Sequence, residues 1–532
     1  MKKKYIIIIL LLALCGIFVL SKIMPNKIET ETEAIINDDI DWSTYEVTNY
    51  TLTESITITK EGIYNLTGTL NGNITINTKG NVKLILNNVT INNNGPAIYI
   101  ENANITVIET EEGTVNTLSD SNTYNNYEDE IEGTIYSKDD LVLEGNGALI
   151  VKGNKGDAIV SKDSIKINSG TYNITSASTG IKGKDSIYIV DGTFKINSSL
   201  DGIKSTKGYI QIDNGEFTIV SVNDGIQAET KLLINEGTFN ITTGSGSPTL
   251  NGNRKATIID SSKGLKAGDS LIINGGVYNL DTLDDAIHSN NYLYIKNANL
   301  NISTGDDGIH SDKELVIDSG TIKINKSYEG IESENITING GDINIISSDD
   351  GINAAGDSTG GLTINNGNIY VNASGDGLDA NGSIYVNGGT ITVDGPIDNG
   401  NGALDYDSKC IVKGGTLIAA GSSGMAQGIS SDSTQYGLLI NFTNTYNAGT
   451  KISILDSNDN EVISYTPTKT FSSIVFSIAD LKTGTYKIII NDEEYQTVTI
   501  SSITTTVGFV QGMGGNPGMG GPGMGGQPRR TR

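Results

Sequence analysis

A short hexad recurs along this chain at nearly constant spacing, and that rhythm limits the fold more than any other feature. It begins at Thr179-Gly180-Ile181-Lys182 and returns as LDGIKS from Leu200, NDGIQA from Asn223, SKGLKA from Ser262, DDAIHS from Asp284, DDGIHS from Asp306, YEGIES from Tyr328, DDGINA from Asp349 and GDGLDA from Gly375. The small residue before the Ile or Leu falls at Ala158, Gly180, Gly202, Gly225, Gly264, Ala286, Gly308, Gly330, Gly351, Gly377 and Ala403. Steps are 21 to 26 residues, except one of 39 that holds an insertion around Gly244 to Asp260. Between hexads lie two alternating strands joined by a Gly turn, as in Ser186 to Ile196 and Leu271 to Tyr278. Alternation sends one side chain inward and the next outward. Each repeat therefore supplies about three short strands with Gly, Asn or Asp corners.

One such coil cannot bury its apolar face, whereas stacked coils can, with strands paired in parallel about 4.8 Å apart. A leucine-rich repeat needs a helical segment and an L-x-x-L-x-L pattern, both missing here. A propeller needs blades near 40 residues with antiparallel hairpins. The fold class is all-β: a right-handed parallel β-helix, its hand following from the rule for parallel crossovers. Composition agrees, with 65 Gly, 8 Pro and 6% aromatics.

The chain divides into an N-terminal export segment (1–21), a polar linker (22–45), the β-helix (46–420), a cap (421–510) and a Gly/Met-rich tail (511–532). Lys2, Lys3 and Lys4 precede an apolar run of 16 residues, Tyr5 to Leu20, which is short for a membrane span. This reads as a signal peptide or anchor of a secreted or surface protein. Leu12-Ala13-Leu14-Cys15 is an atypical lipobox, with bulky Leu14 before the cysteine. After about Ala420 the rhythm stops. Tyr436–Phe442, Lys451–Asp456, Glu461–Tyr465, Ser473–Ser477, Thr485–Asn491 and Thr497–Ile500 read as antiparallel strands of a small sandwich-like cap. The tail, GMGGNPGMGGPGMGG with Arg529, Arg530 and Arg532, is of low complexity and expected to be disordered.

The net charge of -26 excludes nucleic acid as a partner, because phosphates require a basic face. It suits divalent cations, which take oxygen ligands. Acidity also simply keeps an extracellular protein soluble. Cys410 is alone once Cys15 is assigned to the N-terminal segment, so no disulfide framework or thiol site is implied.

Several stretches together resemble the bacterial carbohydrate-binding domain family of polysaccharide-lyase-like β-helices. They are Lys60 to Gly68, Asn81 to Val89, Ala97 to Ile100, Thr114 to Asp120, the openings Ser137-Lys138-Asp139-Asp140-Leu141 and Ser161-Lys162-Asp163-Ser164-Ile165, the D-G-I repeats, and Gly421-Ser422-Ser423-Gly424-Met425-Ala426-Gln427. The resemblance covers about residues 46–510. It implies bound calcium and affinity for cellulose and acidic pectic polymers.

The residues themselves locate the chemistry. Asp201, Asp224, Asp285, Asp307, Glu329, Asp350 and Asp376 precede the small residue of successive hexads, and Asp284, Asp306 and Asp349 double three of them. Stacking sets like charges roughly 5 Å apart, a repulsion of about 3 kcal/mol at an effective dielectric near 20. Calcium shared between coils relieves it, with oxygens about 2.4 Å away. The plain alternative is Asp capping its own turn. A second column runs Lys182, Lys204, Gln227, Lys266, His288, His310, Glu332, Asn353, Asp379 and Asp405, basic at one end and acidic at the other. His288 and His310 are the only histidines; as a stacked pair they suit a transition metal, or a solvated polar stripe. A lyase of this fold joins calcium to a Lys or Arg base, for which Lys204 and Lys266 are the candidates. For sugar stacking the candidates are Tyr188, Tyr209, Tyr278, Tyr292 and Tyr294, against ordinary packing.

Three functions remain open. The first is a calcium-assisted protein binding cellulose or pectin-like polyuronate at the cell envelope. The second is a calcium-dependent lyase, and the third is a structural adhesin.

Overall fold

The structure, a computed structural model, describes residues 36–508 apart from 125, 126, 129, 250–255 and 359. The expected export segment and tail lie outside the described residues, as do most of the linker and part of the insertion. Everything that follows lies in one compact unit that begins at Asp38. Among the described residues no helix is long and apolar enough to cross a membrane.

The repeat becomes a coil of three strands. In one, Ile187–Ile189, Thr193–Ser198 and Ile203–Ser205 follow one another. Each pairs in parallel with its equivalent in the next coil: Ile210–Ile212, Glu216–Ser221 and Ile226–Ala228. The three stacks of strands make the first, second and third faces of the β-helix. Stacking continues to the strand Thr416–Gly421.

Alternation fills the interior with matched columns. On the third face Ile181, Ile203, Ile226, Leu265, Ile287 and Ile309 stack in register, each with no exposed surface. Burying each such side chain contributes roughly 1.5–3 kcal/mol. On the second face Tyr172, Phe194, Phe217, Phe239 and Tyr278 form one aromatic stack, with centroids 5.1, 4.7, 4.7 and 4.7 Å apart. Parallel in-register pairing forces this offset stacking. The turn before it needs Gly: Gly215 has φ 137°, and a Cβ there would lie 2.8 Å from the Phe217 ring. The corner glycine acts differently. A Cβ on Gly202 would sit 2.5 Å from the Gly225 carbonyl and 2.5 Å from Ile219, so closeness of the next coil selects it. Cys410 continues an apolar column under Ile384; burial pushes its thiol up to about 12, consistent with a packing role.

The C-terminal cap is sandwich-like. Thr416–Gly421 pairs antiparallel with Phe471–Ser477, which also pairs with Gly437–Tyr446, and Thr504–Val507 adds a parallel edge. Glu461–Tyr465, Ile452–Leu455, Gly484–Ile490 and Glu493–Ile500 form a separate antiparallel sheet. Ile440, Ile454, Phe471, Phe476 and Ile488 belong to one buried cluster of this cap. Thr416–Gly421 serves both the β-helix and the cap, and residue 420 falls inside it.

Candidate functional site

Both charged columns assemble on the third face. The outward column is in register from Lys182 through Lys204, Gln227, Lys266, His288, His310, Glu332, Asn353 and Asp379 to Asp405. The corner carboxylates lie beside it, and four of them share one task. One oxygen accepts the backbone N–H of the next coil's corner: Asp224 N–H to Asp201 Oδ1 at 3.2 Å, Lys263 N–H to Asp224 Oδ1 at 2.8 Å, Asp307 N–H to Asp285 Oδ1 at 3.1 Å and Asp376 N–H to Asp350 Oδ1 at 2.6 Å. This is turn capping carried from coil to coil. The other oxygen of Asp201, Asp224 and Asp285 faces a cation.

In the first half the cation is an ammonium group. Lys182 reaches Asp157 at 2.9 Å, Lys204 reaches Asp201 at 2.8 Å and Lys266 reaches Asp224 at 3.2 Å. Lys263 occupies the corner position itself and holds Asp284 at 2.8 Å and Asp285 at 2.6 Å. Burial opposes charge on Asp285, yet Lys263 and His288 hold its carboxyl well below the usual range. So the repulsion that argued for calcium is answered by lysine at Asp201, Asp224, Asp284 and Asp285. Asp284, Asp285 and Asp306 could meet on one ion, their oxygens within 4.8 Å of one another, but the Lys263 ammonium already pairs with two of them.

Past His310 the lysines stop. Among the described residues no ammonium group pairs with Glu329, Asp349, Asp350, Asp376, Asp379 or Asp405. Burial, reinforced by neighbouring carboxylates, pushes Asp350, Asp376 and Asp379 each up to about 7. Burial and the charges of Asp307 and Glu332 push Glu329 up further. Asp350, Asp376 and Asp379 offer oxygens all within 4.8 Å of one another. Two oxygens on one calcium, each about 2.4 Å from it, are at most about 4.8 Å apart. Asp379 and Asp405 were legible in the outward column, but their joining to the corner acids was not. Lys263 was legible in the hexad SKGLKA as the residue before Gly264, but its pairing with Asp284 and Asp285 of the next coil was not.

The histidines sit where the two halves meet. Their rings stack at 4.9 Å and 14°. His288 Nδ1 is 2.9 Å from Asp285 Oδ2; His310 Nδ1 is 3.1 Å from Asp307 Oδ2 and 2.9 Å from Glu332 Oε2.

The tyrosines separate by face. Tyr188, Gln211, Leu233, Ile272, Tyr294 and Val316 form one outward column on the first face. Tyr292 lies beside Tyr294, ring centroids 6.5 Å apart, and Tyr209 sits on the same face with 9% exposure. Ile272 points outward yet is only 4% exposed. The Tyr188 hydroxyl donates to Asp213 and the Tyr294 hydroxyl to Asp318, each on the next coil's turn. Tyr278 is a correction. It has no exposed surface, closes the internal aromatic stack and donates to the Gly275 carbonyl at 2.9 Å, so it offers no ring to a sugar.

A family model described as carbohydrate-binding domain-containing protein matches residues 53–308 and again residues 305–459. A carbohydrate-binding domain-containing protein of Acetivibrio thermocellus is 34% identical over 127 residues, covering 22% of this chain and 44% of the relative. The chain thus matches less than half the length of that curated relative. Among solved structures, a polysaccharide lyase-like protein from C. thermocellum aligns at 24% identity over 53% of this chain and 91% of its own, with a TM-score of 0.32.

Proposed function

This chain belongs to the family of carbohydrate-binding domain-containing proteins, and from that premise we propose that it holds polysaccharide on the tyrosine face of the β-helix, with calcium on the acidic coils, outside a bacterial cell. The observation that carries the reading is the outward column that holds Tyr188, Leu233 and Tyr294, with Tyr292 beside Tyr294. Two of its rings are tethered by their hydroxyls before any ligand arrives. Sugar rings present apolar faces that stack on such surfaces, and tethering spares the entropy of ordering the side chain. The column runs from coil to coil along the β-helix, which suits a linear chain such as cellulose or a polyuronate. Calcium at Asp350, Asp376 and Asp379, on the third face, would stiffen the coils it joins.

The lyase reading has weaker footing. Lys204 and Lys266 each hold a carboxylate, so neither amine is presented to a substrate proton.

The test is retention on cellulose and on polygalacturonate, with calcium and with chelator. A Tyr188→Ala, Tyr294→Ala double variant that keeps its circular dichroism should bind roughly tenfold or more weakly. Retention by neither glycan would sink the reading and leave the adhesin; equal retention by the variant would remove the tyrosine face as the site. Release of unsaturated uronate, seen by its ultraviolet absorbance, would reinstate the lyase.

A further inference from the structure

The geometry points to a second metal site, for a transition metal of the zinc class, formed by Asp307, His310 and Glu332. It lies between the lysine-paired and acid-rich coils and is chemically distinct from the calcium reading above.

Three observations converge there. First, His310 Nδ1, Asp307 and Glu332 offer ligand atoms all within 4.8 Å of one another. Nδ1 stands 3.1 Å from Asp307 Oδ2 and 2.9 Å from Glu332 Oε2. A tetrahedral ion with bonds of about 2.05 Å separates its ligands by roughly 3.3 Å, so a shift of a few tenths of an ångström admits it.

Second, the other ring nitrogen is already engaged. His310 Nε2 lies 3.1 Å from Asp312 Oδ1. A metal-ligating histidine typically donates its remote N–H to a carboxylate in this way, which fixes the tautomer and aims the free lone pair at the metal. His288, stacked on it, repeats the arrangement, with Nε2 3.0 Å from Asn290 Oδ1.

Third, two carboxylate oxygens converge on that one nitrogen, at 3.1 and 2.9 Å. An ion with several coordination positions can take all three groups at once. Imidazole is the discriminating donor: it suits zinc, copper, nickel and iron, whereas calcium and magnesium prefer oxygen. The site is also sheltered, with side-chain exposures of 8%, 19% and 21% for Asp307, His310 and Glu332.

The experiment titrates the purified, chelator-stripped chain with Co2+ and Zn2+ in excess calcium. The expected result is one tight equivalent, visible Co2+ absorption bands and their loss on adding Zn2+. His310→Lys is the informative variant. Lysine continues the column of Lys204 and Lys266, so it keeps an ion pair with Asp307 and Glu332 and preserves folding. It should remove the Co2+ bands. Asp312→Asn, acting on the remote nitrogen, should weaken binding by about 10–100-fold. No binding in excess calcium, or unchanged bands in His310→Lys, would overturn the site. A purely structural ion pair predicts no Co2+ bands in the parent chain.

Discussion

Asp140 shows how one carboxylate in this fold couples stability to pH. Burial, then the charges of Asp163, Asp139 and Asp185, pushes it up to about 6. The unfolded chain releases the same proton near 3.8. Between those values the native state binds more protons than the unfolded one, so this group makes stability fall as pH rises from about 4 to about 6. Asp140→Asn keeps an oxygen to accept the Ser164 N–H at 3.2 Å. The variant should melt higher than the parent above pH 6 and equally below pH 4, in thermal scans at constant calcium. An equal shift at both ends would count against a protonation origin. At this scale much was already legible. Tyr188 lies between Ile187 and Ile189, so parity turns it outward; Tyr278 alternates with Asn279 and shares its parity with Leu280, so parity turns it inward. The miss at Tyr278 came from reading residue type before parity. Lys263 stands in the hexad SKGLKA for all to read, but which acids its ammonium would meet depends on the next coil's position.

A strand column is the unit in which this molecule gains stability, and the aromatic stack is its largest example. Phe217 packs at 4.7 Å on both Phe194 and Phe239. Phe217→Ala should cost about 3–5 kcal/mol, read as a lower denaturant midpoint, because coils on both sides hold the cavity open. Phe217→Leu should cost clearly less, since the same column runs on through Leu300. Equal losses would mean that ring stacking, not volume, dominates. The charged column behaves as an element too. Coils paired by Lys182, Lys204, Lys263 and Lys266 carry their own counter-charge; those from Asp350 to Asp405 do not. Chelator should therefore speed amide hydrogen exchange around Gly351, Gly377 and Ala403 and leave Gly202 and Gly225 unchanged. Uniform change along the helix, or none, would remove calcium from the acidic coils.

A stacked-coil molecule has two ends, and each exposes unpaired strands and the cross-section of an apolar core. At the C-terminal end the cap meets both demands. Phe471–Ser477 pairs with the last coil's Thr416–Gly421, and Val475, 3% exposed, joins the apolar cluster that runs through the β-helix. Ile418 and Ala420 point instead into the cap, beside Leu438, Phe476 and Ile488. The sequence rhythm announced the coils and its loss announced the cap, but not that one strand serves both; that depends on pairing across more than 50 residues, from Ala420 to Ile474, which no local pattern carries. Ending the chain after Gln435 should leave the coils stacked, since their pairing is with one another. It should also bare the edge of Thr416–Gly421 and the apolar side chains of Ile418 and Ala420, a surface suited to the same edge of a second copy. The truncated protein is expected to run as a larger species than the full chain in size-exclusion chromatography with light scattering. Lys substitutions at Ile418 and Ala420 in the truncated chain should return it to a single copy, because charge on an open strand opposes edge pairing. A truncated chain that stays at its own monomer mass would show that the β-helix needs no cover at this end, and that the cap is kept for some other task.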